Sequence, residues 1–164
     1  MYLDERNEFA DAVSVAAAAG TALIGDVIDL SAAHRDMGAG EPVYLVITVD
    51  TEIITGGVAG TVKFQLASDA QAAIATDGTA TVHFDTGTFV TDDAGANDAQ
   101  LNAGGVIAVV ALPMEGKVYE RFLGILCVTA TTTTTAGKIN AFLTHDVAKW
   151  AAYADGPEAI NPGA

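Results

Sequence analysis

The residues whose types and spacing could do chemistry are concentrated between Val27 and Pro42. There the run VIDLSAAHRDMGAGEP sets Asp29, His34, Arg35, Asp36 and Glu41 around small, turn-forming residues. A histidine beside carboxylates is the minimum for a general base or a metal centre. His34 and Asp36 could supply two zinc ligands, but no nearby Cys or His supplies the others. The bland alternative is a polar loop in which Arg35 pairs with Asp29, Asp36 or Glu41, within the chain or across a subunit boundary.

The other chemical candidates are weaker. His83 and His145 fall at outward or strand-end positions, where a solvated ring is expected, and no His-x-His pair of the cupin type occurs. DDAGAND, Asp92 to Asp98, gathers oxygen-bearing side chains that could bind calcium weakly. It is not an EF-hand: with Asp93 at the first position, Gly95, Asp98 and Gly104 stand where Asp or Asn, Gly and Glu are needed. The serines are Ser14, Ser31 and Ser68, and no G-x-S-x-G turn presents any of them. GGVAG lacks the lysine and following helix of a phosphate loop. Among 21 acids, a pair of carboxylates has no specificity as a glycosidase signal. Cys127, inside FLGILCVTA, is expected to be a buried thiol and not a nucleophile. No enzyme activity, cofactor or metal is expected.

The elements that must position these residues read as strands. VYLVITV, Val43 to Val49, is a β-branched run expected to be buried on both faces. TVKFQLAS alternates strictly, with Val62, Phe64 and Leu66 inward and Lys63 and Gln65 outward. TVHFDTGTFV repeats the pattern, with Val82 and Phe84 on one face and His83 and Asp85 on the other. VIAVVAL, VYERFLGILCVTA and GKINAFLTHDV follow, the last two separated by a Thr run with its turn expected at Gly137. Parallel sheets need crossovers of about a dozen residues, and none is evident after Val27. The expected fold is therefore all-β: an antiparallel, jelly-roll-like β-sandwich of seven or eight short strands. Residues 1–26, irregular in hydrophobic pattern, read as an extended or partly helical N-terminal arm. Residues 27–148 read as the core and 149–164 as an irregular C-terminal tail, all within one domain.

Charge narrows the partners. With 21 Asp and Glu against 7 Lys and Arg, the net charge is −14, which opposes a phosphate backbone and makes nucleic-acid binding unexpected. The opening MYLDERNEF lacks a signal peptide's basic start. No apolar run approaches the roughly 20 residues of a membrane helix, so a soluble protein without membrane contact is expected. A single cysteine offers no intrachain disulfide and fits an intracellular origin.

Three stretches, in order, resemble a known family. They are MYLD with EFADA close behind, VIDLSAAHRDMGAGEPVYLVITVD, and AGKINAFLTHDV near the end. They are similar to the capsid cement, or decoration, proteins of short-tailed bacteriophages. That resemblance implies a jelly-roll-like sandwich without catalytic activity, made in the host cytoplasm and seated on the outer capsid surface. The implied partners are the major capsid protein and a second copy of itself, most readily as a homodimer, with a trimer as the alternative. Under this reading Tyr2, Leu3, Phe9, Arg35, Trp150 and Tyr153 are the candidate interface residues, since aromatic anchors on flexible ends suit a clamp. The aromatics could equally fold back over their own sandwich. The rival function is a carbohydrate-binding jelly-roll module or virion surface adhesin. An exposed aromatic platform would favour it, whereas the strand aromatics here alternate inward.

Overall fold

A sheet with one apolar face must bury that face against another layer, and this chain does so with two antiparallel sheets. The computed structural model describes residues 5–31, 41–94, 96–113 and 115–147. Among them are nine strands: β1 (Glu8–Ser14), β2 (Gly20–Asp29), β3 (Tyr44–Ile54), β4 (Gly60–Asp69), β5 (Thr81–Asp85), β6 (Phe89–Thr91), β7 (Val106–Ala111), β8 (Phe122–Ala130) and β9 (Ala136–Thr144). One sheet has the order β1-β9-β3-β7; the other runs β2-β8-β4-β5, with the short β6 also paired to β4. The pairs β1–β9, β2–β8, β3–β7 and β4–β5 are nested, like a long antiparallel ribbon folded at the β4–β5 link. Wrapping that ribbon brings β9 onto β3 and β8 onto β4. This is the jelly-roll arrangement.

The core lies between the sheets. Leu45, Ile47, Val49 and Ile53 of β3 and Ile139, Ala141 and Leu143 of β9 face Val62, Phe64 and Leu66 of β4 and Leu123, Ile125 and Cys127 of β8. Lys63 and Gln65 point outward, as the alternation requires, and both hydrogen-bond the Asp85 carboxylate. β3 is buried on both faces from Leu45 to Val49. Residues 70–80 fold back over the outer face of the second sheet, where Ile74 and Ala80 cover Ala67 and Leu126. Asp69 holds that loop by accepting the N–H groups of Gln71 and Ala75.

Several expectations need correction. Residues 8–26 are not an arm: β1 is an edge strand on β9, and β2, beginning at Gly20 and not at Val27, pairs along β8. Irregular alternation hides them because both strands are bulged, by one residue at each of two places in β1 and by two residues between Ile24 and Ile28 in β2, and the inserted residues break the period of two. β1 shifts register twice against β9, with Ala12 at φ 49 and its N–H bonded to Asn140 Oδ1. β2 shifts between Ile24 and Ile28, around Gly25 at φ 66. A Cβ on Gly25 would overlap the Phe9 carbonyl oxygen, so only glycine lets the two strands meet there. The turn between β8 and β9 is the Thr run itself, entered through Thr131 at φ 75, and Gly137 lies inside β9 against Ile53. The expected C-terminal tail, 149–164, lies outside the described residues.

Candidate functional site

Strand direction decides which loops share an end of the molecule. β1 starts opposite Phe142, and β3 starts where β7 and β9 end, with Tyr44 opposite both Ala111 and Thr144. In the other sheet, β2 and β4 end where β8 begins, Asp29 and Asp69 both opposite Phe122. One end of the sandwich therefore carries the start of β1, the β2–β3, β4–β5 and β7–β8 connections, and the chain leaving β9. Every stretch that held a candidate interface residue joins the sandwich at this end. His145 fastens it, its Nδ1–H donating to the Pro42 carbonyl at 3.2 Å.

Within the end, Asp29 is claimed by a distant residue. Both its carboxylate oxygens accept from Arg121, Nε at 3.1 Å and Nη2 at 2.9 Å, and Oδ1 also accepts the N–H and hydroxyl of Ser31. The Arg121 hydrogen bonds are the main reason its carboxyl is held far below the usual carboxylate range. Arg121 also lies over the Phe122 ring, 4.7 Å from its centroid. Asp29 thus pairs with Arg121, a β2-to-loop contact that no local reading of Val27 to Pro42 could find; Arg35, expected to pair with Asp29, Asp36 or Glu41, lies outside the described residues.

A second cluster was not anticipated. β5 has one residue more than β4 between the pairs Phe84–Leu66 and Val82–Ala67, and the extra residue is His83. That bulge sends Phe84 to the main core and Val82 to the outer cluster, so the two do not share a face as expected. His83 is half-buried, stacked on Tyr119 with centroids 3.9 Å apart and planes 14° apart. Its Nε2 shares a 2.7 Å hydrogen bond with Ser68 Oγ, which also accepts the Glu120 N–H, while the Glu120 carboxylate takes the Thr81 hydroxyl. Burial, helped by the Lys117 charge and opposed by Glu120, lowers the His83 pKa. The neutral ring can then accept from the serine.

A Ser–His contact of this length is what a nucleophile and its base require. Here Ser68 is 0% exposed and its oxygen is occupied by the backbone, so the pair ties the β7–β8 connection to β4 and β5. Beside it the chain exposes an apolar knob, Val118, 85% accessible and next to Lys117.

The anticipated interface residues divide. Phe9 is 1% exposed in the sandwich core, so it covers its own sheet and offers no surface anchor. Tyr2, Leu3, Arg35, Trp150 and Tyr153 lie outside the described residues, as do His34 and Asp36. At the opposite end, the loop Asp92–Asp98 spends its polar groups on itself and its neighbours. Asn97 bridges the Asp92 N–H, Glu52 and the Ile53 carbonyl, and Asp98 accepts the Val90 N–H. Among the described residues no group of three or more His, Cys, Asp or Glu is placed to hold a metal ion. Cys127 is buried, its thiol pushed up to about 11 by desolvation.

A protein-family model, Bbp16, matches residues 9–143. The chain belongs to the Bbp16 family. Its match begins at Phe9 in β1 and ends at Leu143 in β9, so the Bbp16 unit is the whole sandwich, bulged N-terminal strands included. No curated protein matches the chain.

Proposed function

We propose that this Bbp16-family protein is a structural virion component: a cement protein that binds the outside of a phage icosahedral shell as a homo-oligomer and clamps neighbouring major-capsid subunits. The observation that carries the reading is the convergence of the three family-like stretches at one end of the jelly roll. The start of β1, the β2–β3 connection and the end of β9 are far apart in sequence and meet there. A rigid sandwich presenting its connections at one end suits a protein whose work is adhesion. Symmetric repetition on a shell turns weak single contacts into avidity. A net charge of −14 suits the outer face and opposes the DNA-facing one.

The test is co-sedimentation of the purified protein with shells that lack it. The full chain is expected to pellet with shells. A chain without residues 1–4 and 148–164, which leaves all nine strands intact, is expected to bind more weakly at unchanged melting temperature. Failure of the full chain to bind shells, with clear hits on a glycan array instead, would replace the cement reading with the carbohydrate-binding one.

A further inference from the structure

The two sheets have four edges, and three of them are defended. β1 is bulged twice and carries Glu8 and Asp11; β2 is bulged around Gly25 and carries Asp26. The fourth-sheet-position strands β5 and β6 are five and three residues long, and Asp85 ends the longer one. Bulges, charges and shortness are the devices that stop an edge from pairing with another chain. β7 is different. After one irregularity near Ile107 it pairs regularly with β3 from Ala108 onward, and residues 99–113 contain no charged side chain.

Its hydrogen-bonding phase can be read directly. Leu112 donates to the Val43 carbonyl, and hydrogen-bonded pairs alternate along an antiparallel ladder. Val110 and Ala108 therefore spend their backbone groups on β3, whereas Val109 and Ala111 turn theirs away from it. Among the described residues β7 pairs with β3 alone. Val109 is half-buried and Ala111 exposed, and Val109 stands opposite Val46, on the face away from the core.

We propose that β7 is the seam between two copies of this chain, pairing antiparallel with β7 of the second copy to join two four-stranded sheets into one of eight. A two-fold axis at Val110 sets Val109 opposite Ala111 of the other copy, so both outward sets of N–H and C=O groups are satisfied. Charge argues for a second copy as the occupant. Two chains at −14 repel across most of their surfaces, and an uncharged strip is where they can approach. A basic partner would find no carboxylate on this strand. The inference rests on the homo-oligomer of the cement reading and specifies where it forms.

The test combines light scattering with amide hydrogen exchange on the full chain and two variants. Val109→Pro removes only an N–H that faces away from β3, which an edge strand tolerates; Val109→Lys adds the charge that defended edges carry. The wild-type chain is expected to be dimeric, with Val109 and Ala111 amides exchanging at least ten-fold more slowly than in the monomer. Both variants are expected to be monomeric, folded, and to melt at a temperature independent of protein concentration, below that of the dimeric wild-type chain. A wild-type monomer at all concentrations, a dimer with freely exchanging β7 amides, or a dimeric Val109→Pro chain overturns the seam. Protection in a monomer that vanishes on truncation after Val147 overturns it too, and assigns the edge to the chain's own C-terminal residues. A chain that dimerises through β7 yet binds no shells counts against the cement reading alone.

Discussion

At Gly25 a single missing methyl group decides whether two strands can meet. Its φ of 66 and the overlap of any Cβ with the Phe9 carbonyl compound each other. Gly104 has a similar φ of 80 with nothing within 4 Å of a Cβ, so it isolates the backbone cost. Gly104→Ala is expected to lose about 1 kcal/mol. Gly25→Ala should lose at least about 3 kcal/mol or fail to fold, since backbone cannot move aside cheaply. Denaturant midpoints of the two variants compare them, and equal losses would refute the close approach. The Ser68–His83–Tyr119 cluster makes a second residue-scale prediction. The His83 pKa is lowered, so the folded protein resists the proton that the unfolded chain takes up near pH 6.5. Its contribution to stability is complete above that pH and is lost as pH falls through the lower folded value. An NMR titration should place the His83 midpoint below the ordinary histidine range. The Tyr119 hydroxyl is buried without a partner among the described residues. Tyr119→Phe keeps the stack and should raise stability by about 1 kcal/mol.

At the scale of elements, what the sequence revealed depended on whether each strand kept its phase. β4 alternates without interruption through Leu66, and its inward and outward residues were legible from Val62, Lys63, Phe64 and Gln65 alone. β3 was legible as a continuous apolar run. β1 carries two one-residue bulges, β2 two extra residues between Ile24 and Ile28, and β5 one extra residue, and each insertion interrupts the inward–outward alternation. That is why Phe9 and Ile24 were not recognised as core and why His83 was expected in solvent. The positive φ values of Ala12 in β1 and Gly25 in β2 are the physical trace of the irregularities in those strands, but only Gly25 has a residue type that signals one. The Asp29–Arg121 pair was illegible for another reason: its partners are 92 residues apart, and only the pairing of β2 with β8 brings them together.

At the scale of the molecule, the jelly roll converts sequence distance into proximity. Nested pairing of first strand with last gathers the start of β1, the β2–β3 connection and the end of β9 at one end. The β7 edge lies along the side of the same sheet. A protein built this way can join its own copies edge to edge while its loop-bearing end meets another surface. Both contacts would serve the proposed cement role, in which the shell would gain stability from bridges between subunits. The most direct measurement is the rupture temperature of phage shells with and without this protein, followed by release of packaged DNA. Shells lacking it are expected to rupture at lower temperature, and adding back the purified chain is expected to restore the wild-type value. Shells that rupture at the same temperature in its absence would contradict the cement reading.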